Sequence, residues 1–205
     1  MRHCLILSHP NPRSFDAAIA KAYVLAVEAM GIEAEVRDLY ALGFDPRLQA
    51  HELPWTPDFA PGGDVVGERA LLAAADVFVF VYPLWFNAPP AMLKGYVERV
   101  FGMGFGYEAA EPGTRPLLKG RSLVTISTSG APDIWVQQTG AVERLRRDFD
   151  EHLGAVCGLA VLEHLNIGGV TPGMRRDAGE ALLGQVRDLA RGLFGRRAAP
   201  SGEAP

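Results

Sequence analysis

The sequence predicts an open, mostly parallel α/β sheet with helices on both faces. Five short apolar runs rich in strand formers alternate with helical periodicity over 205 residues. One run, Asp76–Tyr82 (DVFVFVY), is apolar without alternation, as a strand buried on both faces must be. Breaks rich in Pro and Gly punctuate the units, as short crossover connections require. The preferred strand order is 2-1-3-4-5, in one domain over residues 1–195 with a frayed tail at 196–205.

Residues 3–8 (HCLILS) form the first strand, which His9-Pro10-Asn11-Pro12 stops. Ser14 caps a helix that repeats Phe15, Ile19, Tyr23, Ala26 and Met30, with Gly31 as its C′ residue. Glu33–Asp38 is a less apolar second strand, nearer an edge. The Pro-rich stretch from Leu39 to Gly63 reads as a long loop, a feature often functional in compact domains. Asp64–Ala75 is a short helix, and Asp76–Tyr82 is the central strand. After Pro83–Pro90 an amphipathic helix aligns Met92, Leu93, Tyr96, Val97, Val100 and Phe101. A Gly-rich aromatic segment, 102–119, leads to the fourth strand, Ser122–Ser127. Single helices over Val136–Leu153 and Arg176–Phe194 flank the fifth strand, Leu159–Leu165.

Composition excludes several classes. Apolar residues are 48% and charged residues 21%, enough for a full core and against disorder. The net charge of −4 and the lack of a basic block argue against nucleic-acid binding. Cys4 and Cys157 stand far apart, which speaks against a disulfide framework or zinc ribbon and for a reducing, cytoplasmic setting. No apolar run is long enough to span a membrane, and no secretory signal is expected. A Walker loop, a GxSxG elbow and HExxH spacing are all absent, and no metal site is expected. Of 18 aromatics, nine fall between Phe78 and Tyr107. Phe78, Phe80, Tyr82, Tyr96 and Phe101 read as core, which leaves Trp85, Phe86, Phe105 and Tyr107 to explain.

Ligands of such sheets sit at the carboxyl ends of the strands, where the strand order reverses. Three loops meet that condition. The first, His9 to Asp16, joins a strand to a helix N-terminus, where free N–H groups attract an anion; His9, Arg13 and Ser14 suit a phosphate. Asp16, in the first helical turn, is expected to complement the dipole from outside. The second, Pro83-Leu84-Trp85-Phe86-Asn87, exposes bulky aromatics that water penalises unless a flat apolar partner covers them. The third, Thr128-Ser129-Gly130, offers hydroxyls, N–H groups and room for close approach.

These residues resemble a known family. HPNPRSFDAAI, YPLWFNAPPAMLKGYVERVFGMGFGY and TISTSG followed by CGLAVLEHLNIGGVTP are similar to the flavodoxin-like NAD(P)H:quinone reductases, the DT-diaphorase family, short bacterial type. The likeness runs from Met1 to about Leu193. It implies a homodimeric enzyme that passes a hydride from NADH or NADPH through a bound flavin to a quinone; the first loop and the Pro-rich stretch favour FAD, with FMN as the alternative, because they can accommodate an adenosine end. By that resemblance His9, Ser14, Phe15 and Asp16 line the phosphate and ribityl side. Pro83, Leu84, Trp85, Phe86 and Asn87 hold the ring edge through backbone groups, and Ser127, Thr128, Ser129 and Gly130 supply donors. Phe105 and Tyr107 wall the nicotinamide and quinone pocket, across a dimer interface. At the positions where mammalian relatives carry a Tyr–His proton relay, this chain has Trp135 and Ala141. Trp135 donates one hydrogen bond without titrating, and Ala141 does neither. Trp135 joins Phe105 and Tyr107 in the expected substrate pocket. Azo or nitro reduction on the same scaffold is one alternative. A flavin-binding regulatory subunit of a potassium-efflux transporter is another. An electron-carrying flavodoxin fits the first loop and the modest charge poorly.

Overall fold

Strand β1 (Arg2–Leu7) opens the chain in a computed structural model that describes residues 1–195; the tail expected at 196–205 lies outside the described residues. Helix α1 (Phe15–Glu28) follows, and the Ser14 side chain accepts a hydrogen bond from Ala17 N, as its cap role predicts. Strand β2 (Glu33–Asp38) and helix α2 (Gly63–Leu72) flank the Pro-rich segment, which has a single turn of 3-10 helix at Ala50–Glu52. Strand β3 (Val77–Pro83) and helix α3 (Ala91–Val100) come next. The Gly-rich segment contains a small antiparallel hairpin, β4 (Tyr107–Ala109) with β5 (Thr114–Pro116). Strand β6 (Ser122–Thr128) follows it, and β7 (Ala160–Ile167) and α7 (Arg176–Phe194) complete the fold.

The main sheet is parallel throughout, in the order β2-β1-β3-β6-β7. Counting only its own strands, this is the expected 2-1-3-4-5 arrangement. The order reverses between β1 and β3, so the loops after β1, β3 and β6 open at one end.

The single helix expected over Val136–Leu153 is divided. Helix α4 (Asp133–Gln138) stops before Gly140, whose φ of 63° no right-handed helix accommodates. Beyond it lie helix α5 (Ala141–Leu145), a π-helical turn (Arg146–Glu151) and helix α6 (His152–Cys157). Apolar spacing survives these breaks, which is why the sequence reads as continuous. A π turn adds one residue to the helical repeat and rotates the next turn about the helix axis.

Strand parity sorts the core. Val77, Val79 and Val81 face one layer with Ile19, Tyr23 and Val186, while Phe78, Phe80 and Tyr82 face the other with Leu93, Tyr96 and Phe101. The five aromatics read as core are all buried.

The Pro-rich loop is held by a buried ion pair. Arg99 of α3 is 5% exposed. Its guanidinium donates to both Glu52 oxygens at 2.7 and 2.8 Å, to both Asp64 oxygens at 2.6 and 2.9 Å, and to Asp45 O at 2.5 Å. Gly95, one turn earlier, lets Pro46 cross α3, since a Cβ there would overlap Pro46 O. Burial raises the Glu52 carboxyl, but hydrogen bonds from Arg99, Gln49 N and Gly62 N and the charge of Arg99 outweigh it and hold the pKa at about 2. A depressed acid stabilises the fold above its unfolded pKa of ~4.3 and loses that contribution as pH falls through the folded one. Arg99→Met strands a buried carboxylate and should destabilise the protein by about 3–5 kcal/mol in chemical denaturation. Adding Glu52→Gln should recover part of the loss, and the acid-sensitive component of stability should shrink in the double variant.

Candidate functional site

The sequence places three loops at one end of the sheet, and the structure joins them around one cavity of about 530 Å3, a volume typical of small-molecule clefts. The first wall is the loop before α1, with His9, Asn11, Arg13, Ser14, Phe15 and Asp16. The second is Pro83, Leu84 and Trp85, and the third is Thr128, Ser129 and Gly130. A fourth wall, the loop after β7 with Val170, Thr171, Pro172 and Met174, was not singled out in the sequence. Val170, Thr171 and Pro172 end the quoted segment CGLAVLEHLNIGGVTP, but the stretch carries no charge, and only the closing of β7 beside β6 brings it here.

Helix α1 aims its first turn at the cavity, where N–H groups lack intrahelical acceptors. Asn11 N donates to His9 Nδ1 at 3.0 Å, which leaves the proton of a neutral His9 on Nε2. That atom lies 4.0 Å from Asp16 Oδ2. Asp16 does not point outward as expected. It is 2% exposed, and Thr128 Oγ1 donates to its carboxylate at 3.1 and 3.2 Å. Its pKa is raised because burial outweighs the pull of His9 and of the Thr128 hydrogen bond. An acid so raised repels a neighbouring phosphate less as pH falls.

The expected hydroxyl donors are mostly spent on the protein. Thr128 Oγ1 serves Asp16, and Ser129 Oγ donates to Ala131 O at 3.0 Å. Ser127 is fully buried behind the strand and is not on the cavity wall; its hydroxyl meets His164 and Asn166, because strand parity turns it opposite to Thr128. Ser14 keeps its hydrogen free while its oxygen caps the helix. At Gly130 a Cβ would meet only Val170 O at 3.8 Å, so the protein itself imposes no need for glycine there.

The second loop is a two-residue turn. Trp85 and Ala88 exchange both backbone hydrogen bonds at 3.1 Å, and Phe86 and Asn87 take positive φ of 53° and 57°. Primed turns demand such angles, and an asparagine tolerates them better than a phenylalanine does. Leu84 N–H is spent on Thr128 O at 2.7 Å, leaving the N–H groups of Phe86 and Asn87 as the turn's unspent donors. Trp85 is 42% exposed and stands edge-on to His9, with ring centroids 6.3 Å apart. Phe86 is wholly exposed and, like Asn87, extends beyond the cavity wall.

The expected substrate pocket is not assembled within one chain. Phe105 packs edge-on against Phe101 at 5.8 Å in the core layer. Tyr107 lines a second, more apolar cavity of about 560 Å3 behind α3, with Trp55, Phe59, Val97 and Phe149. Trp135 is 65% exposed on α4 and is not on the first cavity's wall, and Ala141 is buried. Among the described residues no cluster of three His, Cys, Asp or Glu is arranged for a metal ion, and no helix is long and apolar enough to cross a membrane.

Donor chemistry and shape fit a flavin. Helix N–H groups and Ser14 suit its phosphate, and the aromatic second loop suits its flat ring. Comparison with known proteins agrees. A flavodoxin-like fold family model matches residues 1–189. An NAD(P)H oxidoreductase of Haemophilus influenzae, described as uncharacterized, is 32% identical over 164 residues, covering 80% of this chain and 81% of that protein. NAD(P)H dehydrogenase [quinone] 1 of Rattus norvegicus is 29% identical over 182 residues, covering 79% of this chain and 66% of the rat enzyme. The solved NAD(P)H:quinone oxidoreductase from Methanothermobacter marburgensis superposes with a TM-score of 0.81 at 26% identity, covering 95% of this chain and 96% of its own. The chain belongs to the flavodoxin-like fold family, and the relatives it matches there carry the names of NAD(P)H oxidoreductases and quinone reductases.

Proposed function

We propose that this chain is a flavin-dependent NAD(P)H oxidoreductase that reduces quinones by two electrons. The observation that carries the reading is the meeting of an anion-binding helix N-terminus and an exposed aromatic turn at one cavity on the switch point of the sheet. Bound flavin supplies the hydride chemistry, accepting from NAD(P)H and delivering to a quinone in alternating half-reactions. The protein's share is placement. The first turn of α1 and Ser14 hold the phosphate, and Trp85 and Leu84 fix the ring's edge. Gly130 leaves room for close backbone approach. Stacking geometry does most of the rest, so no side-chain nucleophile is needed.

FAD is the preferred cofactor over FMN on the reach of the first loop alone, since no residue of the Pro-rich stretch lines this cavity. The working unit is a homodimer in the cytoplasm. Tyr107 and the 78% exposed Trp55 then meet the partner subunit, and Phe105 and Tyr107 serve the pocket across the interface. Either nicotinamide cofactor suits the site.

Steady-state NAD(P)H oxidation with varied quinone should give parallel double-reciprocal lines. A reconstituted protein that stays colourless and inert to quinones overturns the reading. Mass spectrometry of the released cofactor should return FAD. Gly130→Val should leave the melting curve of the apoprotein near wild type while weakening flavin binding at least about tenfold by occupying ligand space. Phe86→Gly should stabilise the apoprotein by about 1 kcal/mol through relief of the left-handed backbone, yet weaken flavin or quinone binding.

A further inference from the structure

A chain of polar groups runs behind the cavity, on the other side of β6. Thr125 Oγ1 donates to Asp150 Oδ1 at 2.9 Å, and Asp150 Oδ2 lies 2.5 Å from His164 Nδ1. His164 Nε2 meets Ser127 Oγ at 2.9 Å, and Ser127 Oγ meets Asn166 Oδ1 at 3.0 Å. Asn166 Nδ2 donates to Asp133 Oδ1 at 3.1 Å, at the start of α4. Thr125, Ser127 and Asp150 have no exposure, and the side chain of His164 has none either. Asp150 reaches this position from the π-helical turn.

The directions of these bonds follow from the exposed end. An ionised Asp133 only accepts, so Asn166 turns its NH2 to Asp133 and its carbonyl to Ser127. The one hydrogen of Ser127 therefore goes to Asn166. Ser127 Oγ can then only accept from His164, so Nε2 carries a proton. A second proton must lie between Nδ1 and Asp150, whichever atom it sits on. The pair thus holds one proton more than a neutral histidine beside a carboxylate. Losing it would leave an uncompensated negative charge in the interior, which is costly. Thr125 and Ser127 from β6 and Tyr82 from β3, whose buried hydroxyl has no partner among the described residues, face the pair without charge, and Arg146, on the same π-helical turn as Asp150, is ion-paired with Glu151 at 3.4 Å. Glu163, next to His164 on β7, is half-exposed and lies 4.0 Å from Arg146. The serine is no hydrolytic nucleophile, since it is sealed from solvent and donates its hydrogen to Asn166.

We propose that Asp150 and His164 store one proton at neutral pH and that this proton, through Ser127 and Asn166, fixes Asp133 and the 129–133 edge of the cofactor cavity. Loss of the proton leaves Nε2 as an acceptor. The Ser127 hydroxyl then swings to His164, and Asn166 loses its donor. The edge it anchors is packed closely: Ser129 N donates to Ile167 O, Gly169 N donates to Ala131 O, and a Cβ at Gly168 would overlap Asp133 Oδ1. His164 is thereby a positioning residue for the reaction, a role that rests on the flavin reading, whereas the stored proton does not.

Nitrogen-15 NMR of the histidine rings and amide hydrogen exchange, both on the apoprotein, test the store and its tie to the edge. Both His164 ring nitrogens should report a bound or shared proton at neutral pH, and one of those protons should be lost in a single step as the pH is raised. Protection at residues 129–133 should fall about fivefold over the same pH step, the worth of one hydrogen bond. His164→Gln combined with Asp150→Asn keeps neutral hydrogen-bonding groups and should remove the step, and Asn166→Ala should remove it while lowering protection throughout. A His164 with an unprotonated ring nitrogen at neutral pH, or a step that persists in both variants, overturns the proposal. Flavin affinity in the wild type should weaken over the same step. Affinity flat across it overturns the positioning role, and a protein that binds no flavin overturns that role together with the flavin reading, while the apoprotein spectra still decide the store.

Discussion

Parallel pairing of β3 between β1 and β6 is the constraint on which the rest of the molecule depends. All seven residues of β3 are buried, so both faces of the strand must be covered by helices. Each large apolar side chain so buried contributes ~1.5–3 kcal/mol. Parallel neighbours also bring their carboxyl ends to one edge of the sheet. The cavity is a consequence of that geometry: its walls are the loops that leave β1, β3, β6 and β7 together.

The same pairing gives the two faces different chemistry. On the α1 side, β6 presents Val124, Ile126 and then Thr128, whose hydroxyl holds Asp16 on the cavity wall. On the α3 side it presents Leu123, Thr125 and Ser127, and the last two serve Asp150 and His164. One strand thus carries a ligand-facing polar end on one side and a sealed proton-holding chain on the other.

Local strain sits where the ligand is expected. Phe86 and Asn87 adopt left-handed backbone, and Phe86 is held in solvent at the tip of a tight turn. A fold optimised for stability alone would place glycine at such a position. The opposite end of the molecule is conventional by comparison. The His3 imidazole is buried against Tyr23 and Phe194, and burial lowers its pKa to about 4, which suits a neutral core histidine.

The five sheet strands, the Ser14 cap, the core role of Phe78, Phe80 and Tyr82, and the three loops at the switch point were legible because periodicity and capping are local properties of the chain. Strand alternation also held the signal that separates Ser127 from Thr128, although adjacency in the sequence makes them look like one group. The break at Gly140, the π turn that carries Asp150 inward and the pairing of Asp150 with His164 were decided only by the tertiary structure. So were the inward turn of Asp16 and the placing of Tyr107 behind α3. The physical reason is the same in each case. Burial sets the energy of a charged or aromatic side chain, and burial depends on which distant segment closes over it.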